Sequence, residues 1–376
     1  MRPRTIQPSK ALARQLTRND PDERAKARTL YDWVRHNIRC VFVYIGENPA
    51  NPHHVTQVLA NRYGDCKDHV ALYGALLAAV GIHSEPALTG LGTVYTLPSV
   101  PGYGSGAIDH VITWLPDLQL YADTTADDVS FGFLPTADMD RPVLLVNSAV
   151  LSRTPATLAS ERKARLNTDV KPDGAADYTY WVEHAGVMTD IERTRLGRVD
   201  ATGSEQIAQN RLRESNLRGT GVLTSSDLAA TSGPFSTTQR GTLDDVVWSN
   251  GATALPALTS LSGGIATQVR DWLVERARTQ PYICVGGRFL ETAQIVLPEN
   301  IHITSMPDNL DLSSGFFKYH AHYSLDPATH TIRITWTLGA DFGKQACSPG
   351  DFQTALPALR KTEWDTRQQI IVRMTS

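Results

Sequence analysis

Cysteine is scarce in this 376-residue chain. Its four cysteines, Cys40, Cys66, Cys284 and Cys347, are too few for a disulfide framework and show no paired metal-type spacing. Charge of one sign is scarce as well: 36 basic against 39 acidic side chains leave a net charge of −3. That balance supplies no overall electrostatic reason to bind nucleic acid or an anionic membrane. Long apolar runs are missing too. The longest mostly apolar stretch, Ala71 to Ile82, is interrupted by Tyr73, Gly74 and Gly81 and falls short of the roughly 20 residues that cross a bilayer, so no transmembrane segment is expected. The first thirty residues are polar and charged and offer no secretory signal, which as written predicts a cytoplasmic location. No fixed-period repeat occurs, which argues against solenoids and propellers. What the chain does have is length, and with 41% hydrophobic residues it can bury full cores in two or three domains.

Asn19-Asp20-Pro21-Asp22-Glu23 reads as a helix start, with a capping acid and acidic residues near the positive end of the dipole. The helix is expected to run to about Asn37, burying Ala27, Leu30, Tyr31, Val34 and Ile38. A short β-rich run, Arg39 to Tyr44, and a brief helix near Val55 to Asn61 precede Tyr63-Gly64-Asp65-Cys66. From there a long helical pattern reaches Val80 and stops at Gly81. Gly102 to Gly106 reads as a flexible loop and not a dinucleotide fingerprint, because a strand pattern follows it. Asp109 to Leu115 and Leu118 to Thr124 read as a hairpin about Pro116-Asp117. The polar stretch from about Ser152 to Asp173 marks the expected boundary between a first domain, 1–150, and a second, 151–376. Strand patterns dominate the second: Tyr178 to Glu183, Leu243 to Trp248, Thr292 to Leu297, Ile301 to Ser305, Phe316 to Leu325 and His330 to Leu338. Helical patterns lie near Ser204 to Asn216, Ile265 to Ala277 and Pro349 to Arg373.

Cys66 falls in the first turn of the helix opened by Gly64-Asp65, beside exposed backbone N–H groups and the positive end of the dipole. Such a position favours the thiolate, the form a nucleophile needs. Val70, Tyr73, Leu77 and Val80 follow on its face, so the sulfur is expected to point toward whatever that stripe packs on. Counting outward from Pro116-Asp117 pairs 114 with 119, 112 with 121 and 110 with 123. Opposed residues of an antiparallel pair share a face about 5 Å apart, close enough for the His110 imidazole to bond the Asp123 carboxylate. If the Cys66 helix covers that face, sulfur, imidazole and carboxylate fall in the order a nucleophile, its base and an orienting acid require.

These residues carry a resemblance. Ala27 to Ile38 (ARTLYDWVRHNI), Tyr63-Gly64-Asp65-Cys66-Lys67-Asp68, Asp109-His110-Val111-Ile112 and Ala122-Asp123-Thr124 together resemble the bacterial transglutaminase-like superfamily over about residues 25 to 147. The match extends to Phe131 to Pro135 and Arg141-Pro142. Tyr319 to Leu325, Cys347-Ser348-Pro349 and Asp365 to Ile371 resemble the β-rich C-terminal region of one bacterial subgroup. The resemblance implies an α+β fold: a papain-like transglutaminase core, in which the helix bearing Cys packs on an antiparallel sheet, followed by a β-sandwich-like region. It also implies the triad Cys66, His110 and Asp123, in that chain order. The implied activity is acyl transfer on amide or ester carbonyls of a peptide or protein substrate, with water or an amine as acceptor. An inactive copy of the fold that serves as a binding or scaffolding protein is the alternative. Members of that subgroup usually carry a further β-rich domain before the core, often after an export signal, which points to a periplasmic or envelope location. In this chain Ala-Asp-Thr stands where Asp-Pro-Thr is usual, keeping the acid and losing the proline.

No metal or organic cofactor is implied, since thiolate chemistry needs none and no calcium-loop pattern occurs. Cys40, beside Val41 and Val43, reads as core; Cys284 and Cys347 could pair in an oxidising compartment. Tyr63 or Asn61 is a candidate to help the Cys66 N–H hold an oxyanion. His69 competes with His110 as base but lacks a visible orienting acid. His53 and His54 read as surface or cleft rim, and His320 and His322 as a solvated strand face. The basic runs Arg162 to Arg165 and Arg193 to Arg198 lie beside Glu161 and Glu192 and read as solvated surface.

Overall fold

The computed structural model describes residues 7–41, 51–91, 108–127, 129–156 and 160–375, apart from positions 229, 231, 232, 250, 276, 285 and 345. The expected loop Gly102 to Gly106 and the run beyond Val41 lie outside them. The chain divides into two compact units, Met1–Leu158 and Ala159–Ser376. Among the described residues no helix is long and apolar enough to cross a membrane.

The first unit opens with a helix that the polar composition of the N-terminus conceals, α1 (Gln7–Leu16). Its buried stripe is Ser9, Ala13 and, just beyond its end, Thr17, an i, i+4 row of small residues that hydropathy alone does not flag. Asp22 caps α2 (Glu23–Asn37) by accepting from the Ala25 N–H at 2.7 Å. The five residues expected to face inward, Ala27, Leu30, Tyr31, Val34 and Ile38, are all fully buried. Next come β1 (Arg39–Cys40), α3 (Val55–Asn61), which ends at Arg62 in the left-handed region, and β2 (Tyr63–Gly64), parallel to β1 with Cys40 level with Gly64. The long helix α4 (Cys66–Ala79) runs through the core, packed on α1, α2 and α3. It buries His69, Leu72 and Leu76 as well as Val70, Tyr73 and Leu77. Burial is therefore wider than the single stripe expected from the sequence, because helices and a sheet enclose it.

That sheet contains β3 (Glu85–Thr89), β4 (His110–Leu115), β5 (Leu120–Ala122), β6 (Pro142–Leu145) and β7 (Val150–Arg153), in the order β5-β4-β3-β6-β7 and antiparallel throughout. Strand β4 lies against α4. The β4–β5 register differs from the count made on the sequence. A single 3-10 turn, Pro116–Leu118, followed by Gln119 at φ 49°, makes Leu115 face Leu120 and Trp114 face Tyr121. The shift is two residues, and an even shift leaves every side chain on its expected face.

The second unit holds β8 (Ser160–Val170), β9 (Ala176–Gly186), α5 (Met188–Gly197), α6 (Ala201–Glu214), β10 (Arg218–Ser225), β11 (Phe235–Asp244), β12 (Ala252–Pro256), α7 (Gly264–Leu273) and β13 (Tyr282–Ile283). There follow β14 (Gly287–Val296), β15 (Ile301–Ser305), β16 (Leu310–Ser314), β17 (Phe317–Asp326), β18 (Thr331–Ala340), β19 (Ala346–Cys347), α8 (Pro349–Asp365) and β20 (Gln369–Met374). Eight strands form one sheet, β10-β11-β9-β8-β14-β18-β17-β16, parallel only between β14 and β8, and β12-β20-β15 form a second. Both sheets and helices α7 and α8 feed one apolar core that includes Tyr180, Trp336, Tyr319, Phe317, Ile265, Phe352, Ile370 and Val372.

Four expectations for this half need correction. The polar stretch around 160–170 is the full strand β8, whose buried side is Arg162, Ala164, Leu166, Thr168 and Val170. Arg162 hid it: its guanidinium is buried and bonds Glu291 at 2.6 Å, so this basic run, like the one containing buried Arg193, is not simply solvated surface. The strand expected from Leu243 to Trp248 ends at Asp244, where Asp245 turns at φ 49°. The closing helix stops at Asp365 and its last expected turns are strand β20. Cys284 and Cys347 form a disulfide across 63 residues of sequence, and a loop of that length implies about 4 kcal/mol of stabilisation in the chain-entropy treatment.

Candidate active site

The segment before α4 is built for close approach. A Cβ on Gly64 would sit 2.6 Å from the Asp68 Cβ and 3.0 Å from its Oδ2, nearer than side-chain carbons come, so only glycine fits. Asp65 is the N-cap, accepting from the Asp68 N–H, and Asp68 returns the bond to the Asp65 N–H at 3.2 Å. Asp68 also takes the His53 backbone N–H at 2.6 Å and its ring Nδ1 at 2.9 Å, while Asp65 is bonded by Lys67. These two acids are thus engaged in fixing the helix end. Cys66 becomes the first helical residue, with a backbone N–H that has no intrahelical partner. Gly64→Ala is expected to destabilise the unit by about 1–3 kcal/mol, as overpacking does, and to slow Cys66 alkylation; thermal unfolding and thiol labelling measure both. Wild-type values for both would contradict the close-packing argument.

Across from this helix end, the described residues place His110 and Asp123 in contact: the His110 Nε2–H donates to Asp123 Oδ2 at 3.0 Å, both residues buried. With the observed register the two are diagonal neighbours on one face, still within reach of each other. The other ring nitrogen, Nδ1, is buried and has no conventional hydrogen-bond partner among the described residues, and the Cys66 thiol interacts with this ring. Burial disfavours the charged imidazole, but the Asp123 bond, the Cys66 thiol and the charge of Asp123 outweigh it and push His110 up to about 10. Asp123 is penalised by burial and held below the usual carboxylate range by His110 and Thr125.

Several residues that sequence reading missed hold Asp123. Thr125 donates both its N–H, at 2.8 Å, and its hydroxyl, at 2.6 Å, to Asp123 Oδ1. The Tyr31 hydroxyl lies 3.0 Å from the Asp123 carbonyl and 2.9 Å from that of Val129, and Arg35 bonds the carbonyls of Asp127 and Val129. His69, considered as a rival base, is buried with Nδ1 2.9 Å from the Thr124 carbonyl, and burial keeps its ring neutral. Its place is in anchoring the segment after Asp123. Cys40, read as core, is half-buried at the site: burial, then the charges of Asp123 and Cys66, push its thiol up to about 12. Nothing in the sequence sets Asp138 apart. It is buried, and one of its carboxyl oxygens lies in a group with a His110 ring nitrogen and an Asp123 carboxyl oxygen, all within 4.8 Å of one another. Among the described residues this trio is the group compact enough to hold a metal ion, yet His110 and Asp123 within it bond each other directly.

The other candidates stand apart. Tyr63 and Asn61 are exposed and share no hydrogen bond with Cys66, His110 or Asp123 among the described residues. His53 and His54, expected as surface or rim, are both exposed; His53 also bonds Asp68, and His54 caps α3. His320 and His322 are exposed on β17, with His320 bonded to Asp311.

Residues 10–94 match the family model of the transglutaminase-like superfamily, a stretch that contains Cys66 and ends before His110. The crystal structure of a "putative protease" from Parabacteroides distasonis shares the fold with a TM-score of 0.56 at 14% identity, over 97% of this chain and 55% of that one. The chain thus spans about half the length of that protein, and at such identity the likeness concerns fold alone. No curated protein matches the sequence. Family match and fold likeness agree with the geometry: the first unit is built on a transglutaminase-like core with Cys66 at the start of its central helix.

Proposed function

We propose that the first unit catalyses thiol-dependent acyl transfer on an amide or ester carbonyl, with a peptide or protein amide as the substrate. The Cys66 thiol first gives its proton to His110 Nδ1, and the sulfur then attacks the carbonyl carbon. The negative oxygen that forms is held by the Cys66 backbone N–H at the positive end of α4. The C–N bond then breaks, His110 passes its proton to the departing amine, and a Cys66 thioester remains. Water or a second amine attacks the thioester, giving an acid or a new amide, and the thiol is restored. Asp123 holds the imidazole with Nε2–H toward itself and Nδ1 free for the sulfur. Every step uses this chain's own groups.

The observation that supports this reading best is the His110 ring, engaged by Asp123 through Nε2 while Nδ1 is left buried without a conventional partner beside Cys66. The test compares wild type and Cys66→Ala on a peptide library with and without added primary amines, reading intact product masses. Fragments or amine adducts that depend on Cys66 are expected; fragments identify water as acceptor, adducts an amine. Products that form equally with Cys66→Ala, or none at all, would defeat the proposal. A pH profile adds a second check. Because His110 is pushed up to about 10, the proton it takes from the thiol stays on the ring through neutrality, and turnover should fall on the alkaline side near that value, where the departing amine loses its proton donor.

A further inference from the structure

Asp138 has no place in the chemistry above, yet it is among the most buried acids of the chain, 1% exposed in the 3-10 turn Thr136–Asp138. One of its carboxyl oxygens lies within 4.8 Å of one of Asp123. Two buried carboxyl groups this close repel each other when both are ionised, and a proton on one of them removes the repulsion. Asp123 already accepts three bonds, two from Thr125 and one from His110, and these favour the ionised form there. Asp138 Oδ2, by contrast, is buried without a hydrogen-bond partner among the described residues. The proton therefore belongs on Asp138. The charged or titratable groups acting on it are Asp123, His110 and Arg141, and the Arg141 Nε–H is given to the Ala137 carbonyl.

We propose that Asp138 is a positioning residue, held as the neutral carboxylic acid and donating a hydrogen bond to Asp123, so that the chain Asp138–Asp123–His110–Cys66 is fixed from its far end. The neutral acid adds a donor to Asp123 without adding a second negative charge beside the imidazole. His110 then faces one carboxylate and keeps the capacity to release its proton to a leaving group. Burial and the nearby charge of Asp123 both oppose ionisation of Asp138, in keeping with this arrangement. The positioning role rests on the acyl-transfer reading, whereas the protonation state does not.

The sign of the pH effect follows from linkage. In the unfolded chain Asp138 ionises near 3.8, while in the fold it stays neutral to a higher pH. Its contribution to stability is therefore complete below 3.8 and is lost as pH rises toward the folded value. An asparagine keeps a donor and has nothing to ionise. Thermal unfolding of the full chain should thus give Asp138→Asn a higher midpoint than wild type at pH 8, with the gain vanishing near pH 4. An Asn variant whose difference from wild type does not grow with pH would show that Asp138 is ionised in the fold and overturn the proposal.

Cys66 alkylation by iodoacetamide at pH 7, which needs no substrate, tests the positioning role. Asp138→Ala, which removes the donor, should label at least tenfold more slowly than Asp138→Asn. Equal slowing in the two variants, or in neither, would overturn it. Absence of turnover in wild type with the thermal difference intact would remove the acyl-transfer reading and leave the buried neutral acid standing.

Discussion

Cys66→Ala is expected to leave a folded protein whose turnover is lower by about a million-fold, the scale at which loss of a nucleophile leaves only binding and oxyanion stabilisation. The fold should survive because Cys66 adds little to the helix end: the capping box is closed by Asp65 and Asp68, and Lys67 and His53 bond those same acids. The apolar face that α4 turns to the core, with Tyr73, Leu76 and Leu77 fully buried, is untouched. The comparison needs kcat on one peptide amide together with unfolding midpoints for both proteins. A Cys66→Ala midpoint near that of wild type with turnover within tenfold of wild type would mean that the thiol is not the nucleophile.

Asp123→Asn is expected to lower turnover by about ten-thousand-fold, the size seen where an equivalent substitution leaves geometry intact and imposes the wrong tautomer. The structure gives the substitution little freedom. Asp123 Oδ1 accepts from the Thr125 N–H, a donor that cannot rotate away, and from its hydroxyl. An asparagine must keep its carbonyl there and turn its NH2 toward His110 Nε2. That nitrogen then becomes the acceptor, the proton moves to Nδ1, and the ring can no longer take a proton from Cys66. The proton position follows from 15N shifts of the ring, and the rate from kcat. Loss of less than tenfold would show that Asp123 holds the segment and does not set the tautomer.

The residues that carry the proposed chemistry were legible because each has a local signature. Gly64-Asp65-Cys66 marks a helix start, Gly81 marks its end, and His110 and Asp123 flank a turn on strands whose alternation is plain. The register between those strands differs by two residues from the symmetric count, since the sequence does not reveal that Gln119 adopts the left-handed region; the face is unchanged because side chains alternate with period two. Asp138 stayed hidden for a different reason. It lies in Thr136-Ala137-Asp138-Met139-Asp140, where two acids two residues apart look equally like a polar turn, and only the tertiary fold buries the first. Tyr31 was recognised as core, but its hydroxyl contact with the Asp123 carbonyl spans 92 residues. Strand β8 was lost to its charged composition, because the buried Arg162 is neutralised by Glu291, 129 residues away.

The relative alkylation rates of the two free thiols at neutral pH test the Cys66–His110 pairing most directly, measured by mass spectrometry on wild type and His110→Ala. Cys40, held protonated by burial and neighbouring charge, is the internal standard. If Cys66 is the nucleophile paired with His110, it labels at least tenfold faster than Cys40 in wild type and loses most of that advantage in His110→Ala. Equal labelling of Cys40 and Cys66 in wild type, unchanged by His110→Ala, would contradict it.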